Sequence, residues 1–391
     1  MIKLILAIIL FFITNTVYAA TTTTFLDAGT AQTGDATTFW TLSTLVGNGT
    51  LSSNSSVVYP GSTDSLDINS GTIANGQTFA YSNATPISDS GTQISFYFRT
   101  DTIPQSRILG LQNVSSLEWC LILGAGGKLV NTPQGATAVT GSTVLSANTW
   151  YRISVSYYVQ NLTTFTFKVY VNGVLDSTAN AGTMSLGGQT NFYFRISVSG
   201  GITNANNYYD NVYVATGGAS TSSQPDTGNI LVTAKRPKAN GTTNGFTTHG
   251  SPSGGTGTGH APYVSERPLD TSAYVSVNAS GSAITEEYNI ENPAQGDTSI
   301  RPEDIVDSAG WVYASATTPE TLQIILNGIS SNITLGTSNT LFINSAGSTS
   351  YPARTGADIG ITTTAAVSTV SLYEAGVLIA YKPTQGFRQF L

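Results

Sequence analysis

Charged side chains are scarce in this chain of 391 residues. Asp, Glu, Lys and Arg together make up 9% of it, against about a quarter of an average soluble domain. The 15 Lys and Arg residues are outnumbered by 22 Asp and Glu residues, which gives a net charge of −7. This balance excludes the basic surface that nucleic-acid binding needs. The scarcity of charge also excludes coiled coils and long exposed helices.

Cysteine and histidine are nearly absent. Cys120 is the only cysteine, which excludes an intrachain disulfide and a metal site built from cysteines. The two histidines, His249 and His260, lie in or beside a Gly-rich stretch, where we expect them to be exposed to solvent. We therefore expect no transition-metal site.

Long apolar runs are missing as well. The longest run at the N-terminus is residues 4–13, about half of the roughly 20 residues that a membrane-spanning helix needs. It follows Lys3 and precedes a small-x-small site at residues 17–19, which is the pattern of a secretory signal peptide. We interpret residues 1–19 as a cleaved signal peptide, with a membrane anchor as the alternative. Cleavage predicts a secreted, extracellular or cell-surface protein without a membrane span.

Apolar residues recur at every second position through the first half of the chain, which is the pattern of half-buried β-strands. Residues 94–98, 151–159 and 165–171 show it. The short break between the last two stretches predicts an antiparallel hairpin, and Asn172 and Gly173 supply the positive φ angles that a tight turn needs. No ten-residue segment has a helical period, so the sequence predicts two packed antiparallel sheets.

A polar stretch divides the chain. Residues 217–228 are rich in Gly, Ser and Thr and almost free of apolar side chains, which is typical of an inter-domain linker. They follow a first domain, residues 20–216, and precede residues 229–391, whose strand patterns predict a second, smaller β-sandwich. Within this second domain, residues 240–259 are rich in Gly and predict a long loop. The sequence therefore predicts an all-β protein of two domains.

Four stretches of the first domain carry a family resemblance. Residues 148–155 (NTWYRISV) and 167–174 (FKVYVNGV) resemble the central hairpin of laminin-G-like, concanavalin A-like jelly rolls. Residues 94–99 and 209–214 are similar to that family's early and closing strands. The resemblance implies a two-sheet sandwich that often binds carbohydrate or protein and sometimes holds a structural Ca²⁺. The C-terminal half resembles, more loosely, β modules of phage virion-associated proteins.

The resemblance implies a calcium site at Asp27 and Asp210, because the first and last strands of this family commonly lie side by side. Ca²⁺ is a hard cation that takes carboxylate and carbonyl oxygens. We expect the two carboxylates, with backbone carbonyls, to hold one Ca²⁺. The alternative is that Asp210 caps a turn.

An aromatic and amide cluster, NANNYYDN at residues 204–211, is the candidate ligand site. Aromatic rings pack against the C–H faces of sugars, and amides bond their hydroxyls. The predicted ligand-binding residues are Asn206, Asn207, Tyr208 and Tyr209. The alternative is a polar turn that leads into the last strand.

Glycan hydrolysis on this fold would need two carboxyl groups about 5 to 9.5 Å apart. Glycoside hydrolases that resemble it place the acids along one strand as E-x-D-x-x-E, and this chain has no such run. Glu118 is the only acid between Asp101 and Asp176. We therefore expect a protein that is not an enzyme, with a glycan-degrading enzyme as an alternative.

These observations predict a secreted or surface-exposed, non-catalytic binding and structural protein that recognises carbohydrate or a surface protein through its first domain. Weakly charged strands leave sheet edges open to pairing, so a homo-oligomer or filament is a further expectation. The alternative is a phage or virus structural protein, in a tail, fibre or capsid decoration, that contacts the host surface.

Overall fold

The computed structural model describes residues 22–27, 40–60, 62, 64–82, 92–103, 105–112, 117–161, 164–181, 191–216, 228–250, 259–265, 272–290, 304–326, 328–343, 358–364 and 367–382. Within these ranges the chain is built from antiparallel strands and holds no α-helix. Two 3₁₀ turns occur, at Ala125–Gly127 and Ala261–Val264. The predicted all-β fold is confirmed. No helix of the described ranges has the length and hydropathy to cross a membrane, and the predicted signal peptide lies outside them.

The first half of the chain forms two sheets. Its strands are β1 (Thr22–Asp27), β2 (Trp40–Val46), β3 (Thr50–Asn54), β4 (Ser65–Asn69), β5 (Gln77–Ser82), β6 (Thr92–Thr100), β7 (Gln105–Gln112), β8 (Leu117–Leu123), β9 (Lys128–Pro133), β10 (Val139–Val144), β11 (Tyr151–Asn161), β12 (Thr164–Val171), β13 (Val174–Ala181), β14 (Asn191–Ser197) and β15 (Asn206–Thr216). The first sheet has the order β13-β12-β11-β6-β15-β4-β3, and β1 also pairs with β15. The second sheet has the order β10-β9-β8-β7-β14-β5-β2.

The side chains that alternate along these strands fill the space between the two sheets. Phe96 and Ile153 point inward from the first sheet, and Trp119 and Phe194 point inward from the second. All four are fully buried. The inward residues are those that the period-two pattern identifies, so the predicted two-sheet sandwich is confirmed.

The predicted hairpins form as the sequence indicates. Strand β11 pairs with β12, with Tyr157 opposite Phe167. Strand β12 continues into β13 through Asn172 and Gly173, whose φ angles of 49° and 86° are both positive. Two positive φ angles match the right-handed twist of the flanking strands.

The second half of the chain forms a further pair of sheets. Its strands are β16 (Leu231–Lys235), β17 (Pro237–Asn244), β18 (Thr248–His249), β19 (Val275–Ser280), β20 (Thr285–Ile290), β21 (Ile305–Ala316), β22 (Glu320–Leu326), β23 (Ile329–Leu335), β24 (Thr340–Ile343), β25 (Asp358–Thr363) and β26 (Val367–Tyr381). The third sheet has the order β18-β19-β26-β21-β24, and β16 also pairs with β26. The fourth has the order β17-β20-β25-β22-β23.

The third sheet is buried on both of its faces. Val377 and Ile379 belong to the cluster between the third and fourth sheets. Trp311, Leu378 and Ala380 point the other way and belong to the same buried cluster as the core of the first half. Burial on both faces explains why the end of β26 reads as a continuous apolar run instead of an alternating one.

The junction between the halves is anchored from residue 228 onward. The carbonyl of Gly228 accepts a hydrogen bond from the Arg152 guanidinium at 2.7 Å. Asn211 Oδ1 accepts one from the backbone N–H of Val232, also at 2.7 Å. These residues therefore cover part of the outward face of the first sheet. Residues 217–227 of the predicted linker lie outside the described ranges.

Two expectations about the Gly-rich stretch are wrong. Residues 240–244 belong to β17 because they pair with β20, so the predicted loop is shorter than 240–259. His260 is not exposed: its side chain is 13% accessible, and Nδ1 lies 2.7 Å from Oε1 of the fully buried Glu286. The buried carboxylate of Glu286, which the sequence reading did not connect with His260, is the physical reason. Residues 251–258 and the His249 side chain lie outside the description.

Candidate functional site

The four residues predicted to bind a ligand do not share a surface. They are consecutive on β15, and successive side chains of a strand point to opposite faces. Asn207 and Tyr209 are fully buried, and Tyr209 belongs to the core cluster between the first two sheets. Asn206 and Tyr208 point outward. The prediction of one four-residue site is therefore wrong for Asn207 and Tyr209.

Tyr208 lies in a row of outward side chains across three neighbouring strands. It is directly opposite Asp67 on β4 and Arg99 on β6. The Arg99 guanidinium carbon lies 5.8 Å from the centre of the Tyr208 ring. Burial, then Asp67 and Asp101, raises the pKa of Tyr208 to about 12. Asp101 accepts hydrogen bonds from the backbone N–H and side-chain amide of Asn206, at 2.9 and 2.8 Å.

Asp67→Asn is expected to raise the free energy of unfolding at pH 7 by about 1 kcal/mol. Burial raises the pKa of Asp67 from 3.8 to about 6, against a hydrogen bond from Asn54 that lowers it. This difference corresponds to at most about 3 kcal/mol, which partial exposure reduces to about 1. The pKa of Asp67 is higher in the folded state than in the unfolded chain. The ionised carboxylate therefore destabilises the fold fully above about pH 6, and this destabilisation is absent below pH 3.8.

Urea unfolding of both proteins at pH 4 and pH 7 checks this expectation. The Asn variant should be more stable at pH 7 and nearly equal to the wild type at pH 4. A variant that is destabilised equally at both pH values would contradict it.

The strands that carry the predicted calcium ligands do lie side by side. Strand β1 pairs with β15, with Asp27 opposite Val212. The Asp210 carboxylate accepts hydrogen bonds from the Tyr59 backbone N–H at 3.0 Å and the Ser62 hydroxyl at 2.7 Å. The Asp27 side chain lies outside the description, and the described residues hold no group of three or more His, Cys, Asp or Glu side chains. Calcium binding at Asp27 and Asp210 stays a prediction.

The outward face of the second sheet carries a second constellation, which the sequence did not single out. We call it the arginine face. The residues that define it are Gln77 and Phe79 on β5, Arg107 and Gly110 on β7, Cys120 on β8, and Tyr193 and Arg195 on β14.

Arg195 is the central residue of the arginine face and is only 6% exposed. Its guanidinium contacts include the Gln77 amide oxygen at 2.5 Å, the Ser197 hydroxyl at 3.3 Å and the Phe79 ring, whose centre is 4.4 Å away. A buried cation is costly unless polar partners compensate it. These contacts are with neutral groups, and they orient the guanidinium on the outward side of β14.

Close packing at Gly110 brings Tyr193 onto the same face. The two residues are opposite each other on β7 and β14. A Cβ atom at Gly110 would lie 2.3 Å from the Tyr193 ring, so only glycine leaves room for it. The Tyr193 ring in turn contacts Phe79 edge to face, with 5.4 Å between centres.

Arg107 lies on the same part of the arginine face as Arg195, near Cys120. It lies in a bulge of β7, where the five residues from Gln105 to Leu109 oppose three on β8, Leu121 to Leu123. Burial raises the pKa of the Cys120 thiol, and Arg107 and Arg195 both act in the opposite direction. Both guanidiniums are therefore within electrostatic reach of one sulfur. Arg107 is partly exposed, so the face opens to solvent on that side.

One signal in the sequence could have identified this face. Arg195 stands at an outward position of the alternating strand FYFRIS in a chain with only 15 Lys and Arg residues. A lone cation in such a strand is unusual, but its convergence with Arg107 depends on the pairing of β7 with β14.

No family model matches the chain, and no curated protein matches it. Among solved structures it is similar to the endo-β-1,4-glucuronan lyase of the fungus Trichoderma reesei, with 19% identity, a TM-score of 0.38, and coverage of 52% of this chain and 99% of that one. It is also similar to the cellulose induced protein Cip1, with 16% identity, a TM-score of 0.38, and coverage of 49% and 97%. A third similar structure is a carbohydrate esterase of the Shiga toxin-encoding bacteriophage phi24B, with 11% identity, a TM-score of 0.37, and coverage of 50% of this chain and 99% of that one.

These similarities cover about half of the chain, and by themselves they carry no conclusion about ligand or reaction. The laminin-G family and the phage modules stay predictions.

The prediction that the chain is not an enzyme is wrong. Solved structures similar to it include proteins named as a glucuronan lyase and a carbohydrate esterase. The E-x-D-x-x-E run along a single strand is only one arrangement of acids that could support hydrolysis. In the fold, Asp67 on β4 and Asp101, which directly follows β6, both act on Tyr208.

Proposed function

We propose that the arginine face binds an anionic glycan, a sugar chain that carries carboxylate or sulfate groups. The observation that carries the proposal is the convergence of Arg107 and Arg195 on one partly buried place. Two like charges held close together repel each other, and an anion between them relieves that repulsion. Guanidinium groups also match the two oxygens of a carboxylate or sulfate with paired N–H donors.

The arginine face suits a glycan better than nucleic acid. Nucleic acid needs many phosphate contacts, whereas this face has two arginines, Arg107 and Arg195. The half-exposed side chains of Ile122 and Thr132 continue the face beyond Arg107 across β8 and β9. An open sheet face suits an extended chain better than an enclosed small molecule, and Thr132 and Gln77 offer polar partners for sugar hydroxyls.

Arg195→Gln is expected to weaken binding of an acidic glycan by about 10- to 100-fold, because it removes a charged hydrogen-bond pair worth about 1.5–3 kcal/mol. Isothermal titration with polygalacturonate, dextran sulfate and uncharged dextran measures this loss and separates carboxylate from sulfate recognition.

Arg99→Gln is the matched control, because Arg99 is a partly buried arginine on an outward strand face, but of the first sheet. It should leave the affinity within about twofold, as expected of a charge outside the site. Equal losses in the two variants would show that the effect is not local, and the absence of any binding to both acidic polymers would remove the proposal.

Three broader expectations from the sequence extend this proposal. We propose that the glycan belongs to a host or environmental surface, that the protein reaches it after secretion or as part of a virion, and that exposed sheet edges allow copies to associate. The outer strand β13 supports the last point, since Val174 and Leu175 on it are 68% and 49% exposed.

A further inference from the structure

The second sheet separates locally beside the arginine face. Strand β14 pairs with β7 only from Asn191 to Phe194, although it continues to Ser197 alongside β5. Beyond Leu109, β7 enters its bulge and leaves β14. Bulges re-aim side chains, and this one carries Arg107. The carbonyl groups of Ile108 and Arg195 therefore lie outside the β7–β14 ladder and need other partners.

Side chains from the opposite sheet provide those partners. The Tyr209 hydroxyl lies 2.8 Å from the Ile108 carbonyl oxygen and 3.0 Å from that of Arg195. The Asn207 side-chain amide donates to the Arg195 carbonyl at 2.8 Å and lies 3.3 Å from the Tyr209 hydroxyl. The Tyr209 ring is fixed by stacking on Phe194, with ring centres 3.9 Å apart.

We propose that Tyr209, assisted by Asn207, is a positioning residue that reaches across the core and sets the separation of the two guanidiniums of the arginine face. One hydroxyl is hydrogen-bonded to the backbone of both arginine-bearing segments, so it fixes the bulge of Arg107 relative to Arg195. Two of the four residues predicted from the sequence to contact a ligand, Asn207 and Tyr209, would thus act from the core side of the second sheet. This inference rests on the proposed anionic-glycan site.

Tyr209→Phe removes the hydroxyl and keeps the ring that stacks on Phe194. We expect acidic polymers to bind about tenfold more weakly, as for one lost hydrogen bond that holds the site, while dextran binding does not change. A second measurement needs no glycan: the pH dependence of Cys120 modification by methyl methanethiosulfonate. If the guanidiniums move away from the sulfur, the apparent pKa of the thiol rises.

Tyr213→Phe is the matched control. Tyr213 is a buried tyrosine on the same strand, but it faces the other side of the first sheet, opposite Ser95. The proposal requires Tyr209→Phe to lower acidic-glycan affinity and shift the Cys120 profile upward, with neither change in Tyr213→Phe. Identical behaviour of the two variants in both measurements overturns it.

The two measurements separate this inference from the proposed function. If the wild type binds no acidic polymer, the proposed function fails, while the Cys120 profile still decides whether Tyr209 positions the arginines. Suppose instead that the wild type binds acidic polymers and that Tyr209→Phe binds them more weakly, but with an unchanged pH profile of Cys120 modification. The positioning role is then wrong, and the glycan site stands.

Discussion

Trp311→Ala is expected to lower the free energy of unfolding by about 3–5 kcal/mol, the range for truncating a fully buried aromatic side chain. Trp311 has no exposed surface and belongs to the buried cluster that includes residues of both halves of the chain. The Arg236 guanidinium carbon lies 5.8 Å from its ring centre. A Cβ atom at Gly376, directly opposite, would lie 2.7 Å from the indole nitrogen.

Guanidinium chloride unfolding followed by tyrosine fluorescence and circular dichroism tests this effect. Because the cluster joins both halves, we expect the whole transition to shift together. Trp150→Ala is the control, since Trp150 is only partly buried and packs beside Tyr59. Trp150→Ala should lower the free energy of unfolding by less than Trp311→Ala does. If Trp311→Ala leaves the transition of the first half in place, the shared cluster does not couple the halves.

The sequence predicted the architecture well because a sandwich is a local consequence of alternation. The pattern in residues 151–159 fixed which side chains of β11 face inward, and the Asn-Gly pair fixed the turn between β12 and β13. Alternation cannot reveal that the third sheet is covered on both faces. The apolar run that ends in Tyr381 indicates such burial, but it does not identify the partner.

The candidate site was harder to predict because it depends on pairing between distant segments. Tyr208 and Tyr209 look equivalent in NANNYYDN, and only the register of β15 decides which one faces the core. Asp67 and Asp101 are 34 positions apart in sequence, so no local pattern connects them. Arg107 and Arg195 lie on the same face only because β7 has a bulge, and the residue pattern QSRILGLQ does not predict that bulge.

Glu286→Ala is expected to destabilise the second half of the chain by about 3 kcal/mol or more, the cost of leaving buried polar groups without their acceptor. Oε1 of this carboxylate lies 2.7 Å from His260 Nδ1, and Oε2 accepts the backbone N–H of Phe246 at 2.9 Å. Phe246 is buried in the core between the third and fourth sheets. One carboxylate therefore holds Phe246, within the Gly-rich stretch, and His260, directly after it.

Glu286→Gln separates the hydrogen bonds from the charge. Its amide oxygen can still accept one of the two hydrogen bonds, so we expect a loss of about 1 kcal/mol at pH 7. Glu287→Gln is the matched control, because Glu287 points to the opposite face, where the Thr242 hydroxyl donates to it at 2.7 Å. An exposed change of this kind should stay within about 0.5 kcal/mol.

The pH dependence of unfolding gives an independent test of the Glu286 carboxylate. Burial raises its pKa above 4.5, against the Phe246 and His260 hydrogen bonds that lower it. The folded state then binds the proton more tightly than the unfolded chain, so wild-type stability falls as the pH rises through the raised pKa. Asp67 gives a slope of the same sign, so this slope should be smaller in Glu286→Gln than in the wild type and should remain in Glu287→Gln. A slope in Glu286→Gln as steep as that of the wild type would assign the titration to other groups.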